Sequence, residues 1–272
     1  MNEVSLWAYR SLVAVPAGLC FLAQACSTLQ SPINLSDYES DLIDGSAIFG
    51  EAVLISESNP MDPLELSEEM RRFVGGIVSV TPEIARYRRL INKLEKYGYF
   101  DESYDSNLTN SAAETFSTKK GNCLSYTNMF IALARFANLD ARYQIVHMRF
   151  PSWDVQGRLL IRNSHINVFV SGRKAEYRPY AEYNPKSGNT VDFNLVDPDP
   201  AAATTRITDG FAASLFYANL AVKERIRGND RVAFSYLRRA IEMAPQNPDL
   251  WVNLGAMYGR YGAHDKAIKS YR

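Results

Sequence analysis

Cys123 is the residue of this sequence whose type and position best suit covalent chemistry. It follows Gly121 and Asn122, which break the preceding segment, and it opens a run to Ala137 that predicts a buried helix. At a helix N-terminus the dipole and the backbone N–H groups favour a thiolate, and the same N–H groups can donate to an oxyanion. Alternatively, Cys123 is a small buried core residue, and the local pattern does not decide between the two.

The three histidines of the chain differ in their sequence surroundings. His165 opens residues 165–170, in which branched apolar residues occupy every second position, as expected of a β-strand. His147 ends the preceding strand-like run, and His264 lies near the C-terminus, where we expect it to be solvated.

The sequence lacks the motifs that are typical of nucleic-acid, phosphate-binding and metal sites. Thirty basic and thirty acidic residues cancel, so no basic face for nucleic acid is expected. The chain has no glycine-rich phosphate loop, no His-Glu-x-x-His motif and no Cys-x-x-Cys pair. We therefore expect neither a cofactor nor a metal ion.

The N-terminus has the pattern of an export signal. Residues 11–23 are almost entirely apolar or small, a length that suits a signal-peptide core and is too short to span a bilayer. Ala23 and Ala25 fit cleavage before Cys26, which predicts a signal peptide over 1–25. The stretch also resembles a bacterial lipobox, with Ala23 where a large aliphatic residue is usual, so Cys26 is a candidate for lipidation. The alternative is a buried N-terminal helix of the mature fold.

The periodicity of the middle of the chain predicts a mixed α+β fold. Residues 26–60 are predicted to form a tether, although residues 52–55 are strand-like. Apolar spacing then indicates helices within 64–97, broken at Gly75-Gly76, and over 111–116 and 124–137. Strand-like runs follow at 141–146, 159–161, 165–170 and 190–193, and residues 182–189 are predicted to be a polar loop. Helices followed by antiparallel strands favour α+β.

The last part of the chain repeats with a period of 34 residues. The repeat aligns Tyr217 with Trp251, Leu220 with Leu254, Gly228 with Gly262, and Ala233 with Ala267. Together with Gly255 and Tyr258, Trp251 and Leu254 form a tetratricopeptide repeat (TPR) pattern, which predicts two helical hairpins over 209–272. The second repeat is incomplete at Arg272, so we expect the natural array to be longer or packed against something.

The order of motifs around Cys123 resembles the transglutaminase-like superfamily, which has a papain-type core. The matching segments are residues 120–125, 132–135, 141–146, 151–153 and 164–168, and the resemblance covers roughly residues 62–208. It implies a domain over 61–208 in which a buried helix packs against an antiparallel sheet. Exported proteins that resemble this one often carry a TPR tail.

The resemblance also implies roles for three residues. Cys123 is the nucleophile, and His165 is its general base and later the acid toward the leaving group. Asp192 fits the position of the acid that orients the histidine, with Asp197 as the alternative because the register after the polar loop is uncertain. His147 has no matching role.

These observations predict an exported thiol enzyme that acts on amide bonds of proteins or peptides through an acyl-enzyme. Water as acceptor gives a protease or amidase, and an amine gives a transglutaminase-type cross-linker. The alternatives are a catalytically silent binding or assembly protein of the cell envelope and a TPR adaptor with a structural front domain. The expected partners are a protein or peptide substrate and a protein bound by the repeats, with membrane contact only through a lipid at Cys26.

Overall fold

The computed structural model describes residues 42–100, 104–148, 152–156, 159–163, 165–172, 181–184, 188–193 and 202–272. The predicted signal peptide and Cys26 lie outside these ranges. Within them, no helix is long and apolar enough to cross a membrane.

A buried helix forms the centre of the first domain. The helices before the sheet are α1 (Ser46–Phe49), α2 (Glu68–Gly75), α3 (Glu83–Lys96), α4 (Ala112–Thr118) and α5 (Cys123–Phe136). Every residue of α5 from Leu124 to Ala134 is buried, including the polar Ser125, Thr127 and Asn128, because the helix is covered on each side. The hydroxyl of Thr127 donates to the carbonyl of Ile166, which ties α5 to the sheet.

The sheet is antiparallel throughout. The strands are β1 (Ala141–His147), β2 (Ser152–Gln156), β3 (Leu159–Asn163), β4 (His165–Ser171), β5 (Ala181–Asn184), β6 (Gly188–Val191) and β7 (Ala203–Arg206). Five of them pair in the order β5-β6-β4-β1-β7, and β2 pairs with β3 separately. The predicted α+β class is confirmed.

Two of the sequence interpretations are wrong in detail. Residues 52–55 form no strand, because a short 3-10 helix begins at Ile55. Residues 182–184 and 188–189 lie in strands and not in a loop, since β5 and β6 pair with each other. The sequence pattern did not indicate β5 because it is an edge strand, and an edge strand does not need the apolar residues of a central strand.

The C-terminal region forms two helical hairpins, as predicted. They consist of α6 (Asp209–Ile226) with α7 (Asp230–Met243), and α8 (Pro248–Arg260) with α9 (His264–Ser270). Gly228 and Gly262, which the 34-residue period aligns, have φ angles of 84° and 74°. Both glycines end a first helix in the left-handed conformation, which costs glycine little.

The hairpins pack against the first domain. Ala212 and Phe216 of α6 belong to the same hydrophobic cluster as α5. Arg135 of α5 donates to both carboxylate oxygens of Asp209, at 2.6 and 2.8 Å. The repeats therefore share a core with the domain that precedes them.

The described part of the predicted tether, residues 42–60, is not a free linker. Leu42 and Val53 are buried, and Val53 has no exposed surface. The Tyr258 hydroxyl donates to the Leu42 carbonyl at 2.7 Å, and the Ser235 hydroxyl donates to the Leu54 carbonyl at 2.8 Å. The interpretation of these residues as a tether is wrong. Their polar composition suggested a linker, but it could not show that side chains far away in the sequence donate hydrogen bonds to their backbone carbonyls. We call residues 42–60 the strap.

The strap contributes to stability. Replacing Tyr258 with Phe removes a buried hydrogen bond and leaves the Leu42 carbonyl without that donor. We expect Tyr258→Phe to lower the free energy of unfolding in urea by about 1–2 kcal/mol. Tyr271→Phe is the matched control, since Tyr271 is exposed, and it should change stability little. Equal stabilities for the two variants would contradict a structural role for this bond.

Candidate active site

The N-terminus of α5 is fixed by the side chain of Asn122. Its carboxamide oxygen accepts from the backbone N–H of Ser125 at 3.0 Å, as an N-cap does, and its nitrogen donates to the Thr109 hydroxyl at 2.8 Å. Cys123 is the first residue of the helix. Its sulfur is a partly buried thiol and not half of a disulfide. The predicted position of Cys123 at a helix start is therefore the observed one.

Gly121 permits the close approach that this turn needs. A Cβ at residue 121 would lie 2.5 Å from the Cβ of Ser125. The Ser125 hydroxyl accepts from the backbone N–H of Asn110 at 2.9 Å and is held in place. A larger residue at 121 must therefore displace the start of α5.

His165 and Asp192 are joined by a short hydrogen bond. Nε2 of His165 lies 2.7 Å from Oδ2 of Asp192, and the imidazole is buried. The same carboxylate oxygen accepts from Nδ2 of Asn167 at 2.9 Å. The sequence predicted that Asp192 lies within a strand over 190–193, but β6 ends at Val191 and Asp192 directly follows it. The pairing of β6 with β4 brings Asp192 beside His165.

A second buried amide extends this network away from His165. Nε2 of Gln144 donates to Oδ1 of Asn167 at 3.2 Å, and the two residues face each other in the pairing of β1 with β4. Sequence reasoning missed both amides. Asn167 lies two residues after His165 on the same strand face, and Gln144 is a polar residue in an apolar strand, which are the signals that identify them.

The imidazole of His165 also makes a hydrogen bond with the thiol of Cys123. Burial alone would lower the pKa of His165, but the hydrogen bonds and negative charge of Asp192 and Cys123 outweigh it and raise the pKa to about 10. Because Nε2 of His165 is hydrogen-bonded to Asp192, the hydrogen bond with the Cys123 sulfur must use Nδ1. The arrangement places an imidazole, oriented by a carboxylate, against a cysteine sulfur at a helix N-terminus, which suits nucleophilic attack by that sulfur.

The Tyr104 side chain also contacts Cys123, a contact that no sequence pattern indicated. Its hydroxyl is hydrogen-bonded to the Cys123 side chain and to the Cys123 backbone N–H. Burial of the hydroxyl end and the negative charge of Cys123 raise the pKa of Tyr104 to about 12, so the phenol remains protonated at neutral pH.

The remaining residues singled out in the sequence lie elsewhere. Nε2 of His147 lies 2.7 Å from the Thr205 hydroxyl on β7, and His264 is exposed at the start of α9. Asp197, the alternative acid, lies outside the described residues. Among the residues that the structure describes, no cluster of ligands could hold a metal ion.

Comparison with known families agrees with this architecture. Residues 71–185 match the family model of the transglutaminase-like superfamily, and residues 236–269 match that of the tetratricopeptide repeat. Searches of curated proteins and of solved structures found no match. The chain thus carries a transglutaminase-like core domain with a TPR C-terminal to it, which confirms the predicted resemblance. Cys123 and His165 lie within the matched core, and Asp192 lies just beyond it.

The close contact at Gly121 gives a prediction about the start of α5. Gly121→Ala should lower the free energy of unfolding by about 1–3 kcal/mol, because the new methyl group meets the Ser125 side chain. Gly75→Ala is the control, since a Cβ there meets nothing within 4 Å, and it should leave stability equal or higher. Urea unfolding measures the stability of both variants. An unchanged free energy of unfolding in Gly121→Ala would show that the turn does not require the close contact between residue 121 and Ser125.

The raised pKa of His165 predicts a pH dependence of stability. The folded state keeps the His165 proton up to about pH 10, whereas an unperturbed histidine loses it near 6.5. The stabilisation is therefore fully present below pH 6.5 and is lost as the pH rises through about 10. Asp192→Asn removes the carboxylate charge, so the stability difference between wild type and this variant should shrink from pH 6 to pH 10. A difference that grows over this range would contradict the assignment.

Proposed function

We propose that the protein is a thiol enzyme that cleaves or transfers acyl groups at amide bonds of proteins or peptides. The observation that supports this most is the continuous set of hydrogen bonds from Asp192 through His165 to Cys123 at the start of α5. A nucleophile, a base and a group that orients the base are the parts that covalent acyl transfer requires.

The reaction would proceed through an acyl-enzyme. The Cys123 thiolate attacks the amide carbonyl carbon, forming a C–S bond while the π electrons of the carbonyl move to oxygen. As the oxyanion collapses, the C–N bond breaks and the amine leaves with a proton from His165. Asp192 keeps the imidazole oriented and stabilises its positive charge. His165 then accepts a proton from the incoming acceptor, which attacks the carbonyl carbon of the thioester. The C–S bond breaks and its electron pair returns to sulfur, which restores the Cys123 thiolate.

The acceptor decides the kind of enzyme. Water would make the protein a protease or amidase, and a primary amine would make it a transglutaminase-type transferase. The hydrogen-bonded residues of the site serve both reactions equally. Incubation with fluorescein-labelled casein, with and without an added primary amine, separates them: peptide release indicates hydrolysis, and incorporation of the amine indicates transfer.

The second candidate is a catalytically silent binding or assembly protein of the cell envelope. It is favoured by the position of the Tyr104 hydroxyl, which takes up the backbone N–H of Cys123 in this conformation. In either case we propose that the N-terminal segment exports the protein, that Cys26 is the residue that would carry a lipid, and that the repeats bind a protein partner.

Alkylation of Cys123 distinguishes the enzyme from the silent protein. At pH 6, iodoacetamide should modify Cys123 of the wild type rapidly, because protonated His165 stabilises the thiolate. His165→Ala should slow the reaction by at least about 10-fold, the effect of losing roughly 1.4 kcal/mol of charge stabilisation. His147→Ala is the matched control and should react as the wild type does, since His147 is bonded to Thr205.

Two results would count against the enzyme. The first is an equal alkylation rate for wild type and His165→Ala between pH 5 and pH 8. The second is amide cleavage or transfer that persists in Cys123→Ser, since a serine hydroxyl is far less readily ionised than a thiol. The first result would favour the binding protein, and the second would show that Cys123 is not the nucleophile.

A further inference from the structure

The segment that carries Tyr104 is joined to the turn before Cys123 by backbone hydrogen bonds. Tyr104 forms a parallel β-bridge with Gly121, and the N–H of Asp105 donates to the Gly121 carbonyl at 3.0 Å. The N–H of Asn122 donates back to the Leu108 carbonyl at 2.8 Å. Tyr104 is therefore held in a fixed position relative to the nucleophile.

The hydroxyl of Tyr104 occupies a chemically specific position. It accepts from the backbone N–H of Cys123 and donates to the Cys123 sulfur. Tyr104 is 36% exposed although its hydroxyl end is buried, so part of this residue beside Cys123 is open to solvent. The N–H of a residue that opens a helix has no partner within the helix, and it is the donor available to an oxyanion there.

We propose that the Tyr104 hydroxyl is a catalytic oxyanion donor that acts together with the backbone N–H of Cys123. This assignment deepens the proposed function and rests on it. In the resting site the phenol proton points at the sulfur of Cys123. When the sulfur attacks, negative charge develops on the carbonyl oxygen, which displaces the phenol oxygen from the N–H and receives both hydrogen bonds.

The step balances without any further reactant. The sulfur lone pair forms the C–S bond, and the π pair of the carbonyl becomes a lone pair on oxygen. Tyr104 keeps its proton and donates a hydrogen bond, so no proton is transferred to the oxyanion. Because backbone hydrogen bonds already hold the Tyr104 segment beside Cys123, this donor needs less reorganisation than mobile water does when the charge develops.

The test compares two reactions of Cys123 in the full chain. Acylation by p-nitrophenyl acetate passes through an oxyanion and releases p-nitrophenolate, whereas alkylation by iodoacetamide displaces iodide and forms no oxyanion. Tyr104→Phe should slow acylation by about 100-fold and leave the alkylation rate close to that of the wild type. Tyr97→Phe is the matched control, since Tyr97 is an exposed tyrosine seven residues before Tyr104, and both its rates should be unchanged.

The outcomes separate this assignment from the proposed function. Unchanged acylation in Tyr104→Phe would overturn it, and faster acylation would show that the phenol blocks the site instead. Equal losses in both reactions would mean that Tyr104 acts on the thiolate and not on the oxyanion. Alkylation of the wild type without any Cys123-dependent acylation would instead overturn the proposed enzyme, with Cys123→Ala giving the background. A far-ultraviolet circular dichroism spectrum equal to that of the wild type shows that the Phe variant is folded.

Discussion

The carboxylate of Asp192 is the group on which the candidate site depends. One of its oxygens accepts hydrogen bonds from both His165 and Asn167, which lie two residues apart on the same strand. The register of β6 against β4 pairs Val191 with Val168, so the next residue along must arrive beside Asn167. Partial burial strengthens these bonds and makes an unpaired charge there costly. The orientation of the imidazole, and with it the pairing with Cys123, follows from this single contact.

The repeats have a structural role besides the protein contact that their family suggests. Helix α6 shares its apolar side chains with the core around α5, and the strap lies across α7 and α8. The salt bridge between Arg231 and Glu57 adds to this, although its surface exposure limits what it contributes. A partner that binds the repeats must therefore use the faces that the strap leaves open, and the transglutaminase-like domain and the repeats are expected to unfold together.

Local patterns in the sequence predicted the elements that depend on local physics. The glycine break before Cys123, the alternation after His165 and the 34-residue period each reflect hydrogen bonding or side-chain spacing within a few turns of chain. The strap, the β5–β6 hairpin and the contact of Tyr104 with Cys123 depend on residues far apart in the chain or on backbone groups without a residue signature. Such pairings become visible only once the fold brings the partners together.

The charge state of His165 tests this account most directly. The ¹⁵N chemical shifts of its ring report whether one or both nitrogens carry a proton, and they can be followed with pH in the intact protein. We predict that both nitrogens are protonated at pH 7 and remain so until the pH approaches 10, since Asp192 and Cys123 both favour the imidazolium. A neutral imidazole at pH 7, with a single protonated nitrogen, would contradict it.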